Sequence, residues 1–545
     1  MSDEKISHGL GFLTGIHEAV ARTTGLTGLL FSALIGAFAA LAFAPFHISP
    51  ALALAFVGLV WMLDGTRGRK RWGRAMFARG WAFGYGYFLI SMYWTALPFL
   101  VEPERHAVFI WMPLIALPGG MALIWGAACA MAGAFWSSSP SRIFIFGVFF
   151  ALAELVRGHL FGGFPWNLPG TTWIPGGAIS QAASIGGVYW LTLLTVIVMA
   201  APAALVDTRK HGKLLFRAIP SVIAVTLLAF GFTWGSQRLT NEPIMTERSV
   251  ILMDAGVPQA EKFQQYRTTL ARYSQFLRDV PSETGDILIW PEGALPSYLL
   301  QDTTALDQIS GFLGPRTLIT GTPRSDGTGD RQLYYNSLAV FQIDTANANL
   351  VALYDKHRLV PFGELPATEI IPFGERISGI LPDAIQRIAR DGFVPGAGMS
   401  VLYPERVPAF IPLICYEGLF PELTRQAEPR VENAEWIVVI SNDAWFGAGL
   451  GPAQHYAQNR YRSIETGLPM ARVATRGISA VVDAFGREVA RGAPVADDPA
   501  GWRSSVVRSA LPAKTERPPY ARFGSIFFWI TMTVCIILAF ATWRR

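Results

Sequence analysis

The sequence predicts a membrane-embedded α-helical bundle of about eight spans joined to one α/β domain. Composition points there first. Of 545 residues, 51% are hydrophobic and 16% charged, whereas a soluble protein carries about a quarter charged residues. The apolar excess is also uneven. Residues 1–236 and the last twenty or so are strongly apolar, while roughly 240–520 has ordinary globular composition, enough for a core of its own. Finally, four short apolar runs inside that middle region each end in polar or charged residues, the pattern of strands feeding a crevice.

A spanning helix needs about 20 mostly apolar residues. Leu26–Pro45, Ala51–Leu63, Phe77–Leu100, Val108–Trp136, Ile143–Val156, Ile179–Val206 and Phe216–Ser236 are the candidates before the middle domain, and Gly524–Trp543 follows it. The expected organisation is an N-terminus over 1–25, seven spans over 26–239, the α/β domain over 240–520, and an eighth span with the C-terminus over 521–545. The stretch Met1–Thr24 lacks the pattern of a cleaved signal peptide, so the first span is expected to direct insertion.

Lysine and arginine in short loops set orientation. "GTRGRKRWGR" (Gly65–Arg74), "DTRKHGK" (Asp207–Lys213) and the terminal Arg544-Arg545 fall on one side of an eight-span bundle. That side is expected to be cytoplasmic, with the α/β domain facing outward, into the periplasm where there is one. Inside the bundle, Glu154 and Arg157 sit three apart on one helix face. They form either a structural ion pair or the polar wall of a lipid headgroup site. The Gly-Gly-Phe-Pro-Trp that follows breaks the helix and brings Trp166 to the outer surface.

The net charge of +5 is mild, and no basic tract interleaved with aromatics suggests nucleic acid. The histidines are scattered without ligand spacing, so no metal and no other cofactor is expected.

The strand ends carry the chemistry. Ile287–Trp290 leads to Pro291, which cannot continue an interior ladder, and then Glu292. Val351–Tyr354 leads to Lys356 and a loop containing Glu364. Ile411–Ile414 leads to Cys415, and Trp436–Ile440 leads to Ser441-Asn442-Asp443 and then Trp445-Phe446-Gly447. The other cysteines, Cys129 and Cys535, lie in expected spans, so neither is a partner for Cys415. Strand ends of an α/β sheet converge on one crevice. There a carboxylate can take a thiol proton, an ammonium can lower the thiol pKa, and the ammonium with a backbone N–H can hold an oxyanion.

Glu292 in "WPEGALP", Lys356 in "YDKHRLVPFGE" and Cys415 in "ICYE" resemble the Glu-Lys-Cys triad of the nitrilase, or carbon–nitrogen hydrolase, superfamily, and their separations of 64 and 59 residues suit it. The eight-span plan, "SNDAWFG", "PPYARFG" (Pro518–Gly524) and "GFPW" (Gly163–Trp166) resemble the bacterial apolipoprotein N-acyltransferases. That resemblance covers nearly the whole chain.

It implies a nitrilase-like α-β-β-α sandwich on a membrane bundle, in the inner membrane, and a ping-pong reaction. Cys415 would take the sn-1 acyl chain of a phospholipid, chiefly phosphatidylethanolamine, as a thioester. The chain would then pass to the α-amino group of a diacylglyceryl-cysteine apolipoprotein. Glu292 would be the base and Lys356 the oxyanion ligand. Glu364, Tyr416, Glu417 and Asn336 (in "YYNS") would support them. Trp445, Phe446, Gly447, Asn442 and Trp166 would contact substrate. One stretch departs from the family pattern: "MDAGVPQAEKF" has Asp254, Ala255 and Gly256 at its start and Phe263 where tryptophan is common. Pro258, Gln259 and Lys262 remain, but no role is carried over to them.

Both substrates are lipids. An acyl chain of about sixteen carbons is held in the bilayer by on the order of 12 kcal/mol, so the site must come to the membrane. "RISGILPDAIQRIAR" (Arg376–Arg390) has one apolar helical face, which suits either ordinary packing or a lid on the bilayer surface. The rivals are a membrane-tethered amidase using water as acceptor, and a transporter or anchor whose outer domain only binds.

Overall fold

The computed structural model describes residues 3–206, 214–281, 283, 285–327, 332–344, 347–361, 363–365, 392–427, 431–493 and 502–543. The basic loop Asp207–Lys213, the Arg376–Arg390 segment and Arg544-Arg545 lie outside the described residues. The chain divides into two compact units. One comprises Met1–Gly158, Pro165–Thr240 and Phe523–Arg545; the other comprises His159–Phe164 and Asn241–Arg522.

The first unit is helical, and each of the expected spanning segments contains a helix. Among the described residues, Gly25–Ala42, Ala107–Ala134, Ile179–Val206 and Leu215–Arg238 are long and apolar enough to cross a membrane, and Ser49–Asp64 and Ile526–Phe540 are shorter apolar helices. The segment 72–92 is helical but carries Arg74 and Arg79, and Arg142–Arg157 has arginine at both ends. Arg79 is buried inside the unit, donating to the carbonyls of Met62 and Thr23. A further helix, Asp3–Arg22, precedes the first of these. Leu26, Leu34, Val225 and Phe230 stand exposed on helix exteriors, as a lipid-facing surface requires.

Inside this unit, Trp125 packs against Phe83, Tyr87, Phe88 and Phe150. The Trp125 indole donates to Glu154 Oε1 at 2.6 Å, and Arg157 Nε donates to the same oxygen at 2.9 Å. Glu154 is 0% and Arg157 2% exposed. Buried and bonded to Trp125 and to each other within the unit, the pair has the geometry of a structural ion pair rather than of an open headgroup wall.

The second unit is a two-sheet sandwich. Its strands are β1 (Met245–Asp254), β2 (Ile287–Ile289), β3 (Thr317–Asp326), β4 (Leu333–Asp344), β5 (Asn347–Asp355), β6 (Phe410–Ile414), β7 (Trp436–Asn442), β8 (Met470–Thr475), β9 (Ala480–Val482), β10 (Glu488–Arg491) and β11 (Ser505–Pro512). One sheet runs β11-β1-β2-β3-β4-β5 and the other β10-β9-β8-β7-β6. β1 lies against β8 and β4 against β6, so the sheets face each other. β2, β6 and β7 are buried along their whole length, which is why they read as unbroken apolar runs.

Helices cover the outer faces. Tyr266–Asp279 buries Leu270, Tyr273, Phe276 and Leu277 on one side, and Tyr273 stacks on Trp290 at 4.2 Å. Thr303–Leu313 is capped by Asp302, whose Oδ1 accepts the Ala305 N–H at 3.0 Å. Leu450–Thr466 turns His455, Asn459 and Arg462 inward and stops at Gly467, whose φ of 75° is left-handed.

Two glycines set helix spacing in the first unit. A Cβ on Gly36 would lie 1.9 Å from the Phe83 carbonyl oxygen, and one on Gly86 would lie 1.9 Å from that of Ala33. Gly36→Val should therefore lower stability by about 1–3 kcal/mol. Thermal unfolding in detergent checks this, with Gly120→Val, where a Cβ meets nothing within 4 Å, as the unaffected control.

Candidate active site

The local sequence sends the key side chains to one end of the sandwich. β2 pairs in parallel with β3, and Pro291 ends the ladder, so Glu292 follows directly in the turn. β4 and β5 pair with Ser337 opposite Asp355, which puts Asn336 beside Lys356; Lys356 N donates to the Asn336 carbonyl at 2.8 Å. In the second sheet β6 and β7 run parallel, Ile414 beside Ile440, so Cys415 and Asn442 emerge at the same end.

The polar groups form one cluster. Lys356 Nζ lies 2.8 Å from Glu364 Oε2 and 3.5 Å from Glu292 Oε1. Asn336 Nδ2 donates to Glu292 Oε1 at 2.7 Å and to Glu364 Oε1 at 2.9 Å. Glu364 Oε2 also accepts the Val360 N–H at 2.8 Å, and Glu292 Oε2 accepts the Asn442 N–H at 2.8 Å.

Cys415 is 8% exposed and sits at φ 52°. That left-handed conformation costs a non-glycine residue about 1–2 kcal/mol. Neighbouring peptide groups hold it. Glu417 reaches back to accept the Ile414 N–H at 2.8 Å, while its other oxygen accepts from Tyr354 Oη at 2.7 Å, His357 N at 2.8 Å and Arg358 N at 3.0 Å. One buried carboxylate thus ties the nucleophile turn to the lysine loop. Tyr416 donates its hydroxyl to the Gly163 carbonyl, and its ring packs against Phe164 at 6.1 Å.

Electrostatics set the resting state. Burial raises the Cys415 thiol well above its ordinary pKa, and Glu292 adds to this; Lys356 opposes it. Burial would lower Lys356, but Glu364, Glu292 and Cys415 outweigh it and hold the ammonium protonated. The resting site is therefore a neutral thiol, a fixed ammonium and a carboxylate close enough to act on both. Such a set can take up a thiol proton during attack and hold an oxyanion.

A family model described as carbon-nitrogen hydrolase matches residues 256–497, and one described as apolipoprotein N-acyltransferase N-terminal domain matches 35–201. A Caulobacter vibrioides protein named apolipoprotein N-acyltransferase is 36% identical over 519 residues, covering 92% of each chain. Proteins of the same name from Rhodopseudomonas palustris and Bradyrhizobium diazoefficiens are each 34% identical, covering 95% and 97% of both chains in turn. The chain belongs to the apolipoprotein N-acyltransferase family. It is an enzyme, an N-acyltransferase whose second unit is a nitrilase-like carbon–nitrogen hydrolase domain. Agreement over both halves of the chain leaves the membrane-tethered amidase with less support.

Most of the site residues expected of an apolipoprotein N-acyltransferase here lie together: Glu292, Lys356, Cys415, Glu364, Asn336, Tyr416, Glu417 and Asn442. Trp445 is 39% exposed, and Gly447 at φ 64° ends the short turn that carries it. Phe446 packs edge-on against His455 rather than standing open, with ring centroids 5.7 Å apart. Trp166 belongs to the helical unit, where it is 2% exposed and packs on Trp94 at 4.5 Å; it is not among the residues of this cluster.

Sequence reasoning left several contributors unassigned. Gln259 accepts from Asn442 Nδ2 at 2.8 Å. Lys262 is buried; desolvation lowers it to about 8 against the pull of Glu292 and Asp254. Burial raises Asp254 to about 7, although it accepts the N–H groups of Gly256 at 2.8 Å and Arg476 at 2.9 Å. Gly162 and Gly163 read as a helix break, yet they pack with the catalytic unit. Gln259 and Lys262 carried one signal in the sequence, their match to the family pattern, and the two glycines carried only the helix break.

Because the thiolate is the reactive form and the thiol is raised, alkylation of Cys415 by iodoacetamide should keep accelerating from about pH 6 to about pH 9 without a plateau. Lys356→Met removes a nearby cation that lowers the thiol, and should slow alkylation further at every pH. Mass spectrometry of the Cys415 peptide measures both. A plateau below about pH 7.5 would contradict the neutral resting thiol.

Proposed function

We propose that Cys415 is the nucleophile of a two-step acyl transfer from phospholipid to apolipoprotein. Glu292 takes the thiol proton as Sγ attacks the sn-1 ester carbonyl of the donor, chiefly phosphatidylethanolamine. The oxyanion is held by Lys356. The ester C–O bond breaks, Glu292 returns the proton to the departing alkoxide, and lysophospholipid leaves a Cys415 thioester. The α-amine of a diacylglyceryl-cysteine apolipoprotein then attacks the thioester, Glu292 accepts the amine proton, and the C–S bond breaks. The products are an amide and the free thiol. Glu364 and Asn336 hold Lys356 and Glu292 in place; Glu417 and Tyr416 hold the Cys415 turn.

The observation that carries this reading is the shared cluster in which Lys356 lies 2.8 Å from Glu364 and 3.5 Å from Glu292, while both Glu292 and Lys356 act on the Cys415 thiol. Trp445, Gly447 and Asn442 line the substrate approach in this reading, and Phe446, packed on His455, braces the turn that carries Trp445. The layout we propose has the N-terminus over 1–25, seven spans over 26–239, the catalytic domain over 240–520 and an eighth span over 521–545. The basic loops Gly65–Arg74 and Asp207–Lys213 favour a cytoplasmic side for those ends and a periplasmic catalytic domain in a bacterial inner membrane.

Incubation with phosphatidylethanolamine alone should add one acyl mass to the Cys415 peptide, and a diacylated lipopeptide should then discharge it to its own amine. Glu292→Gln and Lys356→Ala should each lower the rate of thioester formation by about 100-fold or more while leaving the folded protein intact. Near wild-type transfer by either variant would show that the base or the oxyanion ligand is another residue.

A further inference from the structure

Directly beneath Cys415 lies a second polar cluster that the acyl-transfer steps do not use. Ser441, Asp443, His455 and Arg472 are each 0% exposed, surrounded by the apolar interior of the second sheet and the helix Leu450–Thr466. Asp443 Oδ1 accepts from Ser441 Oγ at 2.7 Å and lies 3.0 Å from His455 Nδ1. Arg472 Nη2 donates to Asp443 Oδ2 at 2.8 Å and lies 3.1 Å from His455 Nδ1, and Arg472 Nε donates to Asn459 Oδ1 at 2.8 Å. Burial would raise Asp443, but Arg472 and His455 hold it well below the usual carboxylate range.

A buried charged cluster of this size is costly compared with apolar packing. Its reach toward Cys415 explains its placement. His455 Nε2 is 3.1 Å from the Cys415 carbonyl oxygen. A carbonyl has no proton to give, so Nε2 must carry one and donate it. Phe446 packs edge-on against the imidazole at 5.7 Å and limits its swing. The residue whose carbonyl is held in this way is the one at φ 52°.

We propose that His455 is a positioning residue for the nucleophile. Its Nε2–H, aimed by Asp443 and Arg472, anchors the Cys415 carbonyl, fixes the left-handed turn and so fixes the direction of the thiol. The proposal rests on Cys415 being the acylated residue.

The test uses the full-length protein in detergent micelles with phosphatidylethanolamine, following thioester formation in a single turnover by intact mass spectrometry. It reads a rate constant and a final amplitude separately. A merely structural role changes the folded fraction and therefore the amplitude; a positioning role changes the rate constant. His455→Gln keeps a donor near the Nε2 position, whereas His455→Leu removes it. His455→Leu should slow the rate constant by about 100-fold, and His455→Gln should stay within about tenfold of wild type. The proposal is overturned if His455→Leu keeps the wild-type rate constant, or if both variants lose amplitude alone. Should His455→Leu not fold, His455→Asn replaces it: its amide reaches Asp443 but not the carbonyl, so a rate constant equal to that of His455→Gln overturns the proposal. Wild-type protein forming no thioester at Cys415 would instead remove the nucleophile assignment itself, whatever the His455 variants do.

Discussion

The site depends on one ammonium held between two carboxylates. Lys356 bridges Glu364 and Glu292, and Asn336 bridges the same two acids from its amide. Two carboxylates, each with its side chain 12% exposed, and one ammonium leave a net negative charge, which is expensive without further donors. Backbone N–H groups of Val360 and Asn442 supply some, and the buried Lys262 contributes a second cation beside Glu292. Burial, with the Glu292 charge added to it, raises the thiol, and Glu364 and Glu292 keep Lys356 charged against desolvation. In the proposed mechanism these settings leave Glu292 to take the thiol proton and Lys356 to meet an oxyanion.

That cluster exists only because two sheets meet. Glu292, Asn336 and Lys356 come from β2, β4 and β5 of one sheet, while Cys415 and Asn442 come from β6 and β7 of the other. Among the contacts that cross between them are Asn442 N–H to Glu292, and Glu417 to Tyr354, His357 and Arg358. Each is a carboxylate accepting from the opposite sheet. Such bonds are directional, and apolar sheet packing alone would let the sheets slide by fractions of an ångström at little cost. The buried carboxylates convert approximate packing into fixed geometry.

This division also explains what could be read from the sequence. Ile287–Ile289, Phe410–Ile414 and Trp436–Asn442 are buried on both faces, so each is an apolar run with a sharp polar stop, and Glu292, Cys415 and Asn442 stood out as the stops. Lys356 followed a strand by the same logic, and Glu364, Asn336 and Glu417 came with the family resemblance. His455 and Arg472 did not stand out. His455 sits mid-helix among Gln454, Gln458 and Asn459, where one more polar residue gives no periodic signal; Arg472 sits between Ala471 and Val473 in a strand whose end carried no assigned chemistry, and only the folded sheet brings the two under Cys415. Gly162 and Gly163 were legible as a break but not as a partner of Tyr416, because the contact joins residues some 250 positions apart. Spans were harder to count than to locate. Arg79 inside Trp72–Met92 and the arginines at both ends of Arg142–Arg157 are buried, whereas Arg74 is exposed, and composition alone cannot tell a buried arginine from one that ends a span.

The raised thiol bears on the compartment as well as the chemistry. Oxidation, like acylation, proceeds through the thiolate and needs access. A cysteine that is 8% exposed and held neutral by burial and Glu292 is a poor target for both oxidants and adventitious electrophiles. Neither of the other cysteines, each buried in the helical unit, belongs to the unit that holds Cys415, so no disulfide shields it within that unit. In the periplasmic reading, protection must then come from protonation. In the proposed mechanism, burial and Glu292 together withhold the thiolate at rest, and Glu292 accepts the proton when an ester carbonyl arrives over Lys356. A pre-formed thiolate would be faster with any electrophile; a thiol that ionises only against its own substrate gives up some of that speed for survival outside the cytoplasm.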